Sequence, residues 1–233
     1  MRHGLNESPI NQLPWVVWVL ALPMIAGELV FGLGQYGLIG GQQGIALRMN
    51  AIEWSAFVPE FIERMLAIGA VDFGHLYRIV TYPFVHYSFT HALFVVVFTL
   101  ALGNMVAANF RPVAVLALFF GSAIGGALVY TGFAMAYEGR VGPLIGGYPA
   151  VYGLVGAFTF LLWTRLAAVH ANRMRAFTLI GMLLLFQLVF GLLFGNAGYG
   201  WIAELAGFAC GFGLSFLLVD GGMSRALRQL RQR

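Results

Sequence analysis

The chain has 233 residues, 60% of them hydrophobic and 9% charged, with a mean hydropathy of +0.83. A soluble domain is about 25% charged, so the composition excludes a water-soluble globular protein and implies one integral membrane domain along the whole length. The thirteen basic residues are all arginine and leave a net charge of +4, but they flank apolar segments and form no basic face interleaved with aromatics, which excludes nucleic acid as a partner.

A membrane helix needs about 20 mostly apolar residues. The first such run extends from roughly Leu13 to Leu33, with Trp15 and Trp18 as interfacial anchors at its start. No small-residue cleavage site follows a short apolar core in Met1–Pro14, so this helix is expected to be retained and not removed as a signal peptide. Glu28 lies near its far end, and a carboxylate at that depth is expected to face protein or water. A polar interval, residues 35–76, comes next. Within it, Ala51–Ala67 alternates Ile52, Phe57, Phe61, Met65 and Leu66 with Glu53, Glu60, Glu63 and Arg64, which predicts an amphipathic interfacial segment. Phe31, Trp54, Phe57, Phe61 and Phe73 give this first interfacial loop a large apolar surface, read as bilayer anchoring ahead of a partner site.

The second helix is predicted from Tyr82 to about Val106 and the third from Arg111 to Ala134, joined so tightly that they must be antiparallel neighbours. A loop with Glu138 and Arg140 leads to a fourth helix, Tyr148–Ala168, with Pro149 in its first turn, where a missing N–H costs nothing. After the basic turn His170–Arg175 come a fifth helix, Ala176–Phe194, the small turn Asn196-Ala197-Gly198, and a sixth, Tyr199–Val219. The fold class is therefore all-α: a six-helix membrane domain over 1–220 and a basic tail over 221–233. Six spans put both termini on one side. That side holds Arg2, Arg111, Arg165, Arg173, Arg175, Arg225, Arg228, Arg231 and Arg233, against Arg48, Arg64, Arg78 and Arg140 on the other. The asymmetry places the termini in the cytoplasm, and the short termini and missing lysine suggest a bacterial inner membrane. Leu227 and Leu230 among the tail arginines fit a short amphipathic helix on anionic headgroups or a solvated tail.

Single residues carry less. Cys210 stands alone within an apolar run, so there is neither a disulfide framework nor a cysteine metal site. His86 and His91 are five apart, off the spacing of three or four that would present two ligands on one helix face, and no metal or other cofactor is expected. Gly153 and Gly156, and likewise Gly207 and Gly211, leave bare backbone on the fourth and sixth helices for close internal packing.

Four stretches together resemble the rhomboid intramembrane serine proteases. Gly146-Gly147-Tyr148-Pro149-Ala150-Val151-Tyr152-Gly153 is similar to the segment that carries the family's nucleophile, G-x-S-G-A-hydrophobic-aromatic-G, with Tyr148 in place of the serine and Pro149 in place of its glycine. The run from Phe84 to Phe94 matches the family's His-x-x-x-x-His-x-x-x-Asn at His86 and His91, and Val95 stands where the asparagine belongs. Ala203–Gly211 resembles the Ala-His-x-x-Gly-x-x-x-Gly of the last helix, with Glu204 in place of the catalytic histidine. Tyr77-Arg78 stands where the family has Trp-Arg.

The resemblance implies the family scaffold without its reaction. Acyl transfer requires an activated alcohol, a base and oxyanion donors. Here a phenol, an acid and a valine occupy three of those places, so no catalytic residue is expected. Ser88 reads as a helix cap and Ser122 and Ser215 as membrane-helix packing residues. Tyr148 and Glu204 are expected to face each other and hydrogen-bond, extended to His86 or His91. The leading expectation is an inactive homologue that binds transmembrane helices of client or complex-partner proteins within the lipid bilayer. The rival readings are an active protease with relocated residues and a transporter using Glu28 and Glu204.

Overall fold

Long apolar runs become helices because a helix satisfies its own backbone in hydrocarbon. The computed structural model describes residues 13–194 and 198–219. Arg2, the tail with its arginines, Leu227 and Leu230, and the turn residues Asn196 and Ala197 lie outside the described residues. Five helices are long and apolar enough to cross a membrane: α1 (Trp15–Gln35) and, further along, α7 (Phe89–Ala107), α8 (Pro112–Ala136), α9 (Tyr148–Ala168) and α11 (Gly200–Leu218). A further apolar helix, α10 (Thr178–Phe194), has 17 residues, the lower end of the ~17–25 that a span needs. Between α1 and α7 lie α2 (Gly41–Gly44), α3 (Leu47–Ser55), α4 (Pro59–Ile68), α5 (Phe73–Leu76) and α6 (Arg78–Thr81). The chain is a polytopic helical bundle.

Three boundaries differ from the sequence reading, each for a local reason. The second membrane helix starts at Phe89 and not at Tyr82. Pro83 confines Tyr82–Phe84 to a short 3-10 turn, Val85 is extended, and the Ser88 hydroxyl accepts from the His91 N–H at 3.2 Å, capping the new helix. The amphipathic segment Ala51–Ala67 is two helices, because Val58 precedes Pro59 and is driven extended. Phe57, freed from the helix, forms an antiparallel bridge with Leu144 through bonds of 3.0 and 2.8 Å. The fifth apolar helix begins at Thr178, after a 3-10 turn over Arg173–Phe177 that the Asn172 side chain caps.

The α9 helix is the centre of the bundle. Every residue from Pro149 to Ala157 is buried, although the helix has no polar face to hide. A helix apolar all round belongs in a core, and this one is enclosed by α7, α8 and α11. The contact with α11 is backbone on backbone. A Cβ at Gly207 would strike the Pro149 carbonyl, and one at Gly211 the Gly153 carbonyl. Gly156 in turn lies on the Phe208 carbonyl, and Gly153 on the Ser122 side chain of α8.

Helix α3 ends against the segment before α7. The Tyr77 hydroxyl donates to the Trp54 carbonyl at 2.6 Å, and Arg78 to the Glu53 and Ala56 carbonyls at 2.6 and 3.2 Å. These side chains satisfy the carbonyls that a helix C-terminus leaves unpaired. Arg78 also lies over the Phe61 ring at 5.3 Å, so α4 joins the same contact.

Substituting Gly211→Ala forces a methyl into a backbone carbonyl, and should destabilise the detergent-solubilised protein by about 1–3 kcal/mol or more. Gly213→Ala, two residues on where the space is open, should leave the thermal midpoint unchanged or raised. Equal midpoints for the two variants would contradict the packing described.

Candidate functional site

The positions that three of the four motif stretches single out meet at one end of α7, α9 and α11. His86 sits in the extended segment before α7 and is 1% exposed. His91 is one turn into α7, and its ring meets the His86 ring edge to face at 5.0 Å between centroids. On the other side of His91 lies Tyr148, the first residue of α9, stacked at 4.9 Å with the two planes only 17° apart. Tyr87, more exposed, stacks further out at 6.5 Å.

Gly146 makes this approach feasible. Its φ of +95° is a conformation that side chains rarely adopt, and a Cβ there would collide with His91 and crowd His86. Its N–H donates to the Tyr82 carbonyl at 2.9 Å, which fixes the loop before α9 to the turn before α7. Tyr82 is itself anchored, its buried hydroxyl donating to the Ala123 carbonyl of α8 at 2.8 Å. Val95 is fully buried against Gly147, so an aliphatic side chain fills the place beside the first turn of α9.

Glu204 is buried on α11, one turn before Gly207. Glu28 is occupied elsewhere. Its carboxylate takes two hydrogen bonds from Arg48, at 2.7 and 2.8 Å. Of the serines, Ser88 caps α7, Ser122 lies against Gly153, and Ser215 donates to the Gly211 carbonyl at 2.7 Å. Among the described residues no group of three metal-ligating side chains converges.

Two positions that tie the site to the rest of the fold escape a reading of the sequence. Arg48 registers there only as one charge in the orientation count, although the buried Glu28 signals that some cation must come to it. No spacing rule selects Arg48 from the other arginines. Leu144, which joins the interfacial segment to the loop before α9, carries no signal at all.

Both His86 ring nitrogens and Nε2 of His91 are buried without a hydrogen-bond partner among the described residues. Burial, followed by the positive charges of His91 and Arg48, lowers the His86 pKa to about 3. A histidine whose proton affinity falls on folding stabilises the fold above its ordinary pKa of about 6.5, and that contribution is lost as the pH falls towards 3. Acid should therefore weaken the protein below about pH 6, and His86→Gln should reduce the acid sensitivity of the thermal midpoint. Imidazole NMR signals assigned through that variant should show His86 still neutral at pH 5. A midpoint near 6.5 for that ring would overturn the assignment of burial as its governing influence.

Among curated proteins, none matches the sequence significantly. A family model of the Rhomboid domain matches residues 74–221, more than half of the chain, from within α5 to beyond the end of α11. That match takes in the paired histidines, the glycine-bearing turn before α9 and the close crossing of α9 with α11, and by it the chain belongs to the rhomboid family, as a multi-pass membrane protein.

Proposed function

We propose that this rhomboid-family protein is catalytically inactive and binds transmembrane segments of other membrane proteins, as a client-binding factor or as a subunit of a membrane complex. The observation that carries the reading is the Tyr148 ring lying flat on His91. A nucleophile at that position must present a small alcohol with room for a substrate carbonyl between it and the oxyanion donors. A rigid phenol, with a reference pKa near 10, packed face to face on the adjacent imidazole leaves neither the alcohol nor the room. Val95 supplies no donor, and Ser88, Ser122 and Ser215 are engaged in capping and packing.

In this reading the chemistry has been exchanged for packing. The Tyr148 hydroxyl and the Glu204 carboxyl hydrogen-bond to one another, which satisfies two polar groups that hydrocarbon would otherwise penalise. The protein lies in a bacterial inner membrane with both termini cytoplasmic, the side on which the arginines are in excess. The engagement of Glu28 by Arg48 weighs against a transporter that moves protons through it.

A serine-reactive fluorophosphonate should leave the purified protein unlabelled, whereas stoichiometric labelling abolished by one serine substitution would reverse the reading. Affinity purification in mild detergent should bring down membrane-protein companions; a clean monomer counts against the subunit version. Tyr148→Phe keeps the stack on His91 and removes the hydroxyl, so it should cost about 0.5–1.5 kcal/mol, with Tyr148→Ala costing more. A thermal midpoint for Tyr148→Phe equal to that of the parent would remove the Tyr148–Glu204 bond.

A further inference from the structure

A carboxylate on a membrane-spanning helix demands a partner, and Arg48 does more than answer that demand. Its Nη1 donates to Glu28 Oε1 at 2.7 Å and its Nη2 to Glu28 Oε2 at 2.8 Å. The same Nη1 donates to the main-chain carbonyl of His86 at 2.9 Å. The guanidinium also lies over the Phe31 ring at 5.0 Å, so its faces as well as its edges are used. One planar fork thus joins α1, α3 and the segment before α7, a geometry that the point charge of a lysine cannot reproduce.

The bond to His86 falls where, among the described residues, no other hydrogen bond is made to its carbonyl or its ring. Residue 86 lies between the 3-10 turn and the Ser88 cap, and among the described residues no backbone N–H donates to its carbonyl. Its ring makes no hydrogen bond either. The position of His86 therefore rests on ring packing and on Arg48. The interfacial segment that carries Arg48 is tied on the far side of the cluster too, through the Phe57–Leu144 bridge two residues before Gly146.

We propose that Arg48 is a positioning residue: a latch through which α1 and the interfacial segment set the place of His86, and through its ring the places of His91 and Tyr148. A lipid or a partner that pushes on the exposed apolar residues of the interfacial segment, Trp54 or Phe73, then moves the histidines as well. The inference rests on geometry alone and holds whether or not the protein cleaves peptides.

His86-Tyr87 is the only His-Tyr dipeptide in the sequence. Protein labelled with carbonyl-¹³C histidine and ¹⁵N tyrosine in micelles therefore gives one cross-peak, which reports the peptide unit that Arg48 bonds. Arg48→Gln should displace that peak, and Arg48→Lys should displace it less, serving as the readout if the glutamine variant fails to fold. Arg64→Gln, an interfacial control, should leave it in place, and Glu28→Gln should move it less than Arg48→Gln because the donor to His86 remains. The reversed pair Glu28→Arg with Arg48→Glu should recover thermal stability while the peak stays displaced. An unmoved peak in both Arg48 variants, or its full return in the reversed pair, would reduce Arg48 to an ion-pair partner and overturn the proposal.

Discussion

Gly207 and Gly211 of α11 rest on the carbonyls of Pro149 and Gly153 of α9 with no side chain between them. Lipid tails are as apolar as leucine, so helices in a bilayer gain little from burying apolar surface against each other, and close van der Waals approach has to hold them. Four glycines on two helices provide that approach here. Everything at the site depends on it, because Tyr148 begins the first of these helices and Glu204 lies one turn before Gly207 on the second. The crossing carries the phenol and the acid to the same end of the bundle.

Around that crossing the fold handles buried polar groups in two ways. Some are satisfied outright: Glu28 by the Arg48 fork, the Tyr82 hydroxyl by the Ala123 carbonyl, the Ser215 hydroxyl by the carbonyl one turn earlier. The histidine pair is instead held by ring contacts and by a glycine in the left-handed region, with backbone bonds at either side of it. A rhomboid scaffold thus keeps both histidines in ordered positions while their neighbours are a phenol and a valine. In the proposed reading, packing takes over places that acyl transfer would reserve for an alcohol and a donor.

Most of the helices were legible because their signals are local. Pro149 and the apolar run after it locate α9 to the residue; the tight link before Arg111 joins α7 to α8, yet α7 packs mainly on α1 and α9. The misplacements came where one residue's geometry overrode a continuous apolar pattern. Tyr82-Pro83-Phe84 reads as the start of a membrane helix, yet Ser88 offers a better cap and the chain restarts there. Ala51–Ala67 reads as a single amphipathic helix, yet Pro59 breaks it and releases Phe57 to pair with Leu144.

The sequence by itself determined that the chain lives in a membrane, that glycines leave bare backbone for close packing of two of its helices, and that Tyr148, Val95 and Glu204 lie in or beside stretches resembling rhomboid motifs, because composition, hydropathy and motif order are properties of residues in line. Only the tertiary structure decided that Tyr148 lies flat on His91, that Leu144 holds the interfacial segment, and that Arg48 reaches both Glu28 and the His86 carbonyl. Those contacts join residues from 20 to 87 positions apart in the chain. Which long side chain spans such a distance depends on how the helices cross, and no local pattern of residue types encodes it.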